Sequence, residues 1–145
     1  MAKPIDILVV DDNPLDAHIF QEVLRQASPD ACCHWLSSGE EAITFLRDGG
    51  SIKLVLLDIN MPGLNGFETL SRIRSNPDLS RIPVVFLSST TAPAEVDRSY
   101  LLGGNAFFSK PTSLDVYVRQ IRTLVDYWLH FAKLPSPVRI KTSGT

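Results

Sequence analysis

Short apolar runs of strand length alternate with stretches of helical period along this chain, the signature of a parallel sheet joined by crossover helices. The runs fall at residues 5–10, 32–36, 54–57, 82–87 and 106–109. The third, Leu54-Val55-Leu56-Leu57, is apolar at every position, as a central strand covered on both faces requires. Between the runs, the helices carry their own start and stop signals. Asn13-Pro14 supplies a cap and a first-turn proline ahead of Leu15, Ile19, Phe20, Val23, Leu24 and Ala27, and Ser28-Pro29 closes that helix. Ser38 and Glu41 have capping-box spacing before Ala42, Ile43 and Leu46, with Asp48-Gly49-Gly50 as terminator. Phe67, Leu70 and Ile73 mark a third helix ended by Asn76-Pro77, and Pro93 opens a fourth that Gly103-Gly104 closes. The last starts near Thr112-Ser113, carries the core stripe Leu114, Val118, Ile121, Val125 and Trp128, and is stopped by Pro135 and Pro137.

The chain has 145 residues, enough for one domain whose core needs neither disulfides nor structural metal. We expect that domain over residues 1–134 and a polar, flexible tail over 135–145. Charge excludes one class of partner. The 14 basic and 16 acidic residues leave a net −2, with no concentrated basic face for a nucleic-acid duplex. No apolar run approaches the ~20 residues that span a bilayer. Met1-Ala2-Lys3-Pro4 leads into the first strand without a signal-peptide apolar region, so the expectation is a cytoplasmic protein with no membrane partner. Cys32 and Cys33 are neighbours in a strand, where side chains point to opposite faces; they cannot pair, and core filling suits them. His18, His34 and His130 lack the spacing of a metal site or a phosphohistidine relay and read as structural or surface residues.

In an open α/β sheet, the ligand crevice lies beyond the carboxyl ends of the strands. Four of the five runs end there in polar residues: the first in Asp11-Asp12, the third in Asp58, the fourth in Ser88 and the fifth in Lys110-Pro111. Each alone has an ordinary explanation as a turn former, cap or surface charge. Their placement after four different strands is what points to a shared site. Crowded carboxylates raise one another's pKa, and a bound divalent cation reverses that. Magnesium suits the set, since it takes oxygen ligands, uses one or two carboxylates and keeps several waters. Asp12 and Asp58 are candidate direct ligands, with Asp11 acting through water. Asp58 is also the candidate nucleophile for an aspartyl phosphate, with Lys110 and the Ser88 hydroxyl stabilising the transferred group.

Val10-Asp11-Asp12, Leu57-Asp58 with Met61-Pro62-Gly63 and Gly66, Leu87-Ser88-Ser89, and Phe107-Phe108-Ser109-Lys110-Pro111 occur in the order of a CheY-like receiver domain. Over residues 5–129 the chain resembles that family of two-component response regulators. The resemblance implies an α/β fold, a doubly wound five-stranded parallel sheet in the flavodoxin-like order 2-1-3-4-5 with helices on both faces. It implies Asp58 as phosphoacceptor, Asp11 and Asp12 as the acidic metal pair, and the Asn60 main-chain carbonyl as a further Mg2+ ligand. Ser88 becomes the switch hydroxyl, Phe107 its aromatic partner and Lys110 the phosphate-binding lysine, with a cis peptide at Lys110-Pro111. Serine stands at the switch position where threonine is commoner, which keeps the hydroxyl. Phe107 stands where tyrosine is commoner, which loses the phenolic oxygen.

The resemblance further implies a switch and not an enzyme, phosphorylated by a sensor histidine kinase and read by a downstream protein target or phosphotransfer protein. Length, the Asn76-Pro77-Asp78-Leu79 segment and the aromatic helix end are similar to small stand-alone regulators paired with phytochrome-type or other sensor histidine kinases. Two other classes compete. An aspartate-nucleophile phosphatase resembles an Asp-x-Asp signature that Asp58-Ile59-Asn60 lacks; a scaffold that dimerises regardless of phosphate needs no site at all. Beyond its core stripe, the last helix carries surplus apolar positions, Tyr117, Leu124, Tyr127, Phe131 and Leu134, which we expect to form a homodimer interface.

Overall fold

Alternation along the first strand divides the molecule into two halves. In a computed structural model that describes residues 5–49 and 52–135, β1 (Ile5–Val10) sends Ile7 and Val9 to one face of a sheet and Leu8 and Val10 to the other. β1 pairs in parallel with β2 (Cys33–Leu36) on one side and β3 (Ile52–Leu57) on the other. β4 (Val84–Ser88) and β5 (Ala106–Ser109) extend the sheet from β3, giving the all-parallel order β2-β1-β3-β4-β5 expected from the resemblance. The strand order reverses between β1 and β3. The strand ends there open onto a crevice, the ligand position of doubly wound sheets.

α1 (Pro14–Ala27) and α5 (Leu114–Val125) cover one face with Phe20, Leu24, Ile121 and Val125 in its core. α2 (Gly39–Asp48) and α3 (Gly66–Ser75) cover the other with Leu46, Phe67, Leu70 and Ile73. α4 (Pro93–Leu101) lies beside β5. Asn13, Ser38 and Ser113 cap their helices with side-chain oxygens at the expected places. Among the described residues, the full capping box belongs to α3, where Asn65 and Glu68 each accept from the other's main-chain N–H. The sequence reading overlooked it.

Strand boundaries differ from expectation by one or two residues. β3 starts at Ile52, and β2 starts at Cys33 with the Cys32 carbonyl accepting from Asp6 and Ile7. β4 starts at Val84 because Pro83 has no N–H to give the ladder and Ile82 donates to the Leu79 carbonyl instead. Both cysteines are free and half-buried, and burial pushes the Cys33 thiol up to about 12. His34 stacks on Phe45 with ring centroids 4.8 Å apart. His130 sits between Asp126 and the Ser28 hydroxyl, consistent with a structural role.

The final helix corrects two groups of assignments. Tyr117 and Leu124, expected at a dimer interface, are 5% and 1% exposed and belong to the core against α1. Leu114, expected in the core stripe, is 58% exposed. Leu15, counted on the buried face of α1, is likewise exposed. In each case apolar residues on several sides of the helix leave the buried stripe undefined by periodicity alone. Beyond Val125 the backbone widens into a π-helical extension, Asp126–Phe131, which ends at Ala132 ahead of Pro135. Tyr127 and Phe131 remain exposed there, 55% and 77%, as expected. Pro137 and the rest of the expected tail lie outside the described residues.

A single arginine joins three segments on the α3 side. Arg74 donates to the main-chain oxygens of Ser80, Ile82 and Gly103 and to Asn105 Oδ1, at 2.7–3.1 Å. Asn105 Oδ1 also accepts from the Val84 N–H, so the start of β4 and the turn before β5 are fixed together.

Candidate functional site

The ends of β1 and β3 bring three carboxylates together, with one oxygen each from Asp11, Asp12 and Asp58 mutually within 4.8 Å. Asp11 and Asp58 are buried and Asp12 is exposed. Local hydrogen bonds set which oxygens face the crevice. Asp11 Oδ1 accepts from the Asn13 N–H at 2.9 Å, inside the turn that starts α1. Asp58 Oδ1 accepts from the Ile59 N–H at 2.8 Å, which leaves Oδ2 as the outward atom. Gly66, at the start of α3, donates its N–H to the Ile59 carbonyl. A Cβ there would stand 2.3 Å from the Asp58 carbonyl oxygen, so only glycine lets α3 seat against the end of β3.

Lys110 reaches the same place from β5. Its Nζ lies 2.7 Å from Asp11 Oδ2, 2.9 Å from Asp16 Oδ2 and 3.8 Å from Asp58 Oδ2. Burial pulls the lysine down, yet Asp11, Asp58 and Asp16 outweigh it and hold the ammonium above its ordinary range. Burial raises Asp11 against the opposing pull of Lys110. Burial also pushes Asp58 up to about 6, with Lys110 opposing and Asp11 and Asp12 adding repulsion. Three crowded carboxylates with a single lysine make a donor set that a divalent cation relieves, and oxygen donors suit a hard ion.

Ser88 closes β4 fully buried, its Oγ accepting from the Thr90 N–H at 3.4 Å and its carbonyl from the Lys110 N–H at 2.7 Å. Register places Phe86 beside both Leu57 and Phe107, so Ser88 ends the strand next to that of Asp58 and Lys110 follows the strand beyond it. Phe107 is half-buried, its ring 6.2 Å from that of Phe86, which lies 5.8 Å from Phe67; the Arg98 guanidinium covers Phe67 at 4.5 Å. Asn60 is exposed in the loop after Asp58. The Lys110-Pro111 peptide is trans, correcting the cis form implied by the resemblance; trans is the intrinsically favoured state of X-Pro bonds.

Sequence reading gathered the carboxylates and the lysine but missed two neighbours. Asp16 has one signal, its place in the first turn after the Asn13 cap, where α1 leaves the site. Trp35 has none; its indole N–H donates to the Asp11 carbonyl at 2.8 Å from across the sheet.

This fold and crevice define a phosphorylatable receiver, and comparison with known proteins agrees. The chain belongs to the response regulator receiver domain family, whose pattern matches residues 7–122. It is 34% identical to response regulator Rcp1 of Synechocystis sp. over 92% of this chain and 95% of that protein. It is 32% identical to the probable methanogenesis regulatory protein FilR2 of Methanothrix harundinacea, over 92% of this chain and 90% of that one. The Mn(2+)-bound form of Rcp1 superimposes with a TM-score of 0.85, covering 92% of this chain and all of that one at 34% identity. The phosphorylated cyanobacterial phytochrome response regulator RcpA does so with 0.86, at the same coverage and identity. The protein is thus a receiver-domain response regulator of two-component signalling, and neither competing class is favoured. Among the described residues, no helix is long and apolar enough to cross a membrane.

Proposed function

We propose that the chain accepts a phosphoryl group on Asp58 from the phosphohistidine of a sensor histidine kinase, and that the modified domain presents a changed surface to a protein target or phosphotransfer protein. The observation that carries this is the Asp58 carboxylate, set beside Asp11 and Asp12 with its Oδ1 held by the Ile59 N–H and its Oδ2 3.8 Å from the Lys110 ammonium. Oδ2 attacks phosphorus while the nitrogen–phosphorus bond breaks and the imidazole leaves with its electron pair. Lys110 takes a phosphoryl oxygen and the Ser88 hydroxyl another. Asp11, Asp12, Asp58 and the Asn60 carbonyl would hold Mg2+, which when bound neutralises charge on the carboxylates and the transferred group. Drawing the Ser88 hydroxyl inward frees space for Phe107 and reshapes the face of α4, β5 and α5, a shift between pre-existing states.

The protein acts as a switch and turns over no external substrate, since Asn60 stands where a phosphatase of the aspartate class needs a second carboxylate. The domain runs to residue 134, followed by a tail, and works in the cytoplasm. A phytochrome-type kinase is the proposed phosphodonor, supported by 34% identity to the phytochrome response regulator RcpA. The test is incubation with acetyl phosphate and Mg2+ followed by mass spectrometry. One phosphoryl group should appear, mapped to Asp58 and absent in excess chelator. Labelling elsewhere, or full labelling in chelator, defeats the reading.

Two chains are proposed to pair through Tyr127 and Phe131, whose exposure on the π-helical extension leaves aromatic area uncovered. In sedimentation at micromolar concentration the wild type should run as a dimer and a Tyr127→Asp/Phe131→Asp protein as a monomer. A wild type that stays monomeric with and without beryllofluoride ends the idea.

A further inference from the structure

The Lys110 ammonium has three donors, and the structure accounts for each. One meets Asp11 Oδ2 at 2.7 Å, one meets Asp16 Oδ2 at 2.9 Å, and the remaining direction faces Asp58 Oδ2 at 3.8 Å. That last separation is too long for a hydrogen bond and suits an ammonium waiting for an acceptor that Asp58 does not yet carry. We propose that Asp16 is a positioning residue for Lys110, the second anion that holds its ammonium where a phosphoryl group on Asp58 can be reached. The inference rests on Asp58 being the phosphoacceptor.

A lysine has a flexible four-carbon stem, and one anchor leaves its end free to swing. Two anchors on different elements do not. Asp11 stands at the end of β1 and Asp16 in the first turn of α1, so the ammonium is held from two directions. Asp16 is itself well fixed. Its N–H donates to Asn13 Oδ1 at 3.3 Å, its carbonyl lies 3.5 Å from the Tyr117 hydroxyl on α5, and a carboxylate is favoured near a helix N-terminus. The Lys110 and Asp16 side chains are only 10% and 25% exposed, which limits screening of their ion pair.

The two anchors are not equivalent once the site is loaded. Asp11 belongs to the carboxylate cluster that fits a divalent cation and must then divide its charge between cation and lysine. Asp16 lies outside that cluster and stays committed to Lys110. It touches none of the reacting atoms; its effect passes through the lysine. A purely repulsive Asp16 predicts the opposite sign, because removing its charge would then tighten binding of any anion at Asp58.

Amide NMR titrations separate these cases, first with Mg2+ alone and then with beryllofluoride at saturating Mg2+. Asp16→Ala should weaken beryllofluoride by about five- to twentyfold, as expected for losing a charge-assisted hydrogen bond, while Mg2+ affinity stays within about twofold. Asp16→Asn, close in shape and able to accept without charge, should lose less, and Asp16→Glu should recover most of the wild-type affinity. If Asp16→Ala does not fold, the Asn and Glu pair carries the comparison. Unchanged or tighter beryllofluoride binding without the Asp16 charge overturns the inference, as does a parallel loss of Mg2+ affinity or no recovery with glutamate. A wild type that ignores beryllofluoride, or an Asp58→Asn protein that binds it equally, instead overturns the phosphoacceptor reading and this inference with it.

Discussion

Asp58→Asn should abolish phosphorylation by small phosphodonors and, without metal, make the protein more stable than the wild type at neutral and alkaline pH. The first effect is loss of the nucleophilic carboxylate; the second is loss of its buried charge. Burial and neighbouring carboxylates push Asp58 up to about 6, above its ordinary value of 3.8. The folded state therefore binds this proton more tightly than the unfolded chain, and stability falls as pH rises through the interval between the two values. Above the folded value, the charged carboxylate costs the fold on the order of 2–3 kcal/mol. Asparagine carries no charge to desolvate, while Lys110 keeps Asp11 and Asp16 as partners. Urea unfolding of chelator-treated proteins at ~pH 8 should place the variant above the wild type by that amount, and the two should converge at ~pH 3.5. Added Mg2+ should stabilise the wild type more than the variant. A variant that is less stable at alkaline pH, or that still takes up a phosphoryl group, contradicts this account of the site.

Phe86→Ala should cost ~3–5 kcal/mol, the range for emptying a fully buried aromatic position. Phe86 has no exposed surface, and its ring lies between Phe67 of α3 and Phe107 of β5. The Gly104 backbone comes so close that a Cβ there would stand 3.0 Å from the ring, so the walls of the cavity are backbone and large rings that cannot collapse inward cheaply. Leu101→Ala is the internal contrast. That residue is 86% exposed, and its truncation should stay within about 0.5 kcal/mol. Urea midpoints decide the matter; a difference of less than about 1 kcal/mol between the two variants would show that the aromatic row does not carry the packing assigned to it.

The legible part of this protein was its strand ends. An apolar run that stops at Asp58 or at Asp11-Asp12 reports strand, edge and chemistry together, because parallel strands place their last residues at one rim. The phase of α5 was not legible. Leu114, Tyr117, Val118, Ile121, Leu124 and Val125 leave more than one stripe open, and contact with α1 chose the one that buries Tyr117 and Leu124. Asp16 and Arg74 escaped for another reason. The partner of Asp16 lies 94 positions away, and most acceptors of Arg74 are main-chain oxygens that leave no mark in a sequence. The isomer at Lys110-Pro111 was misjudged because family likeness, and no local steric demand, supplied the expectation.

α4 is held more lightly than any neighbour that faces the site. Its cap, Ala92, offers no side-chain hydrogen bond, and Ser99 is its one buried residue. α3, of similar length, buries Phe67, Leu70 and Ile73 and is clamped at its far end through Arg74. A signal can move only what its free energy can lift, and every 1.4 kcal/mol spent on displacement divides the reachable population by about ten. Shifting α3 would open the core. Sliding α4 gives up one small hydroxyl side chain and a cation resting on a ring. On the proposed mechanism, the gain of the device, the fraction of molecules converted per phosphoryl group, is therefore set less by the strength of the contacts at Asp58 than by how little holds down α4.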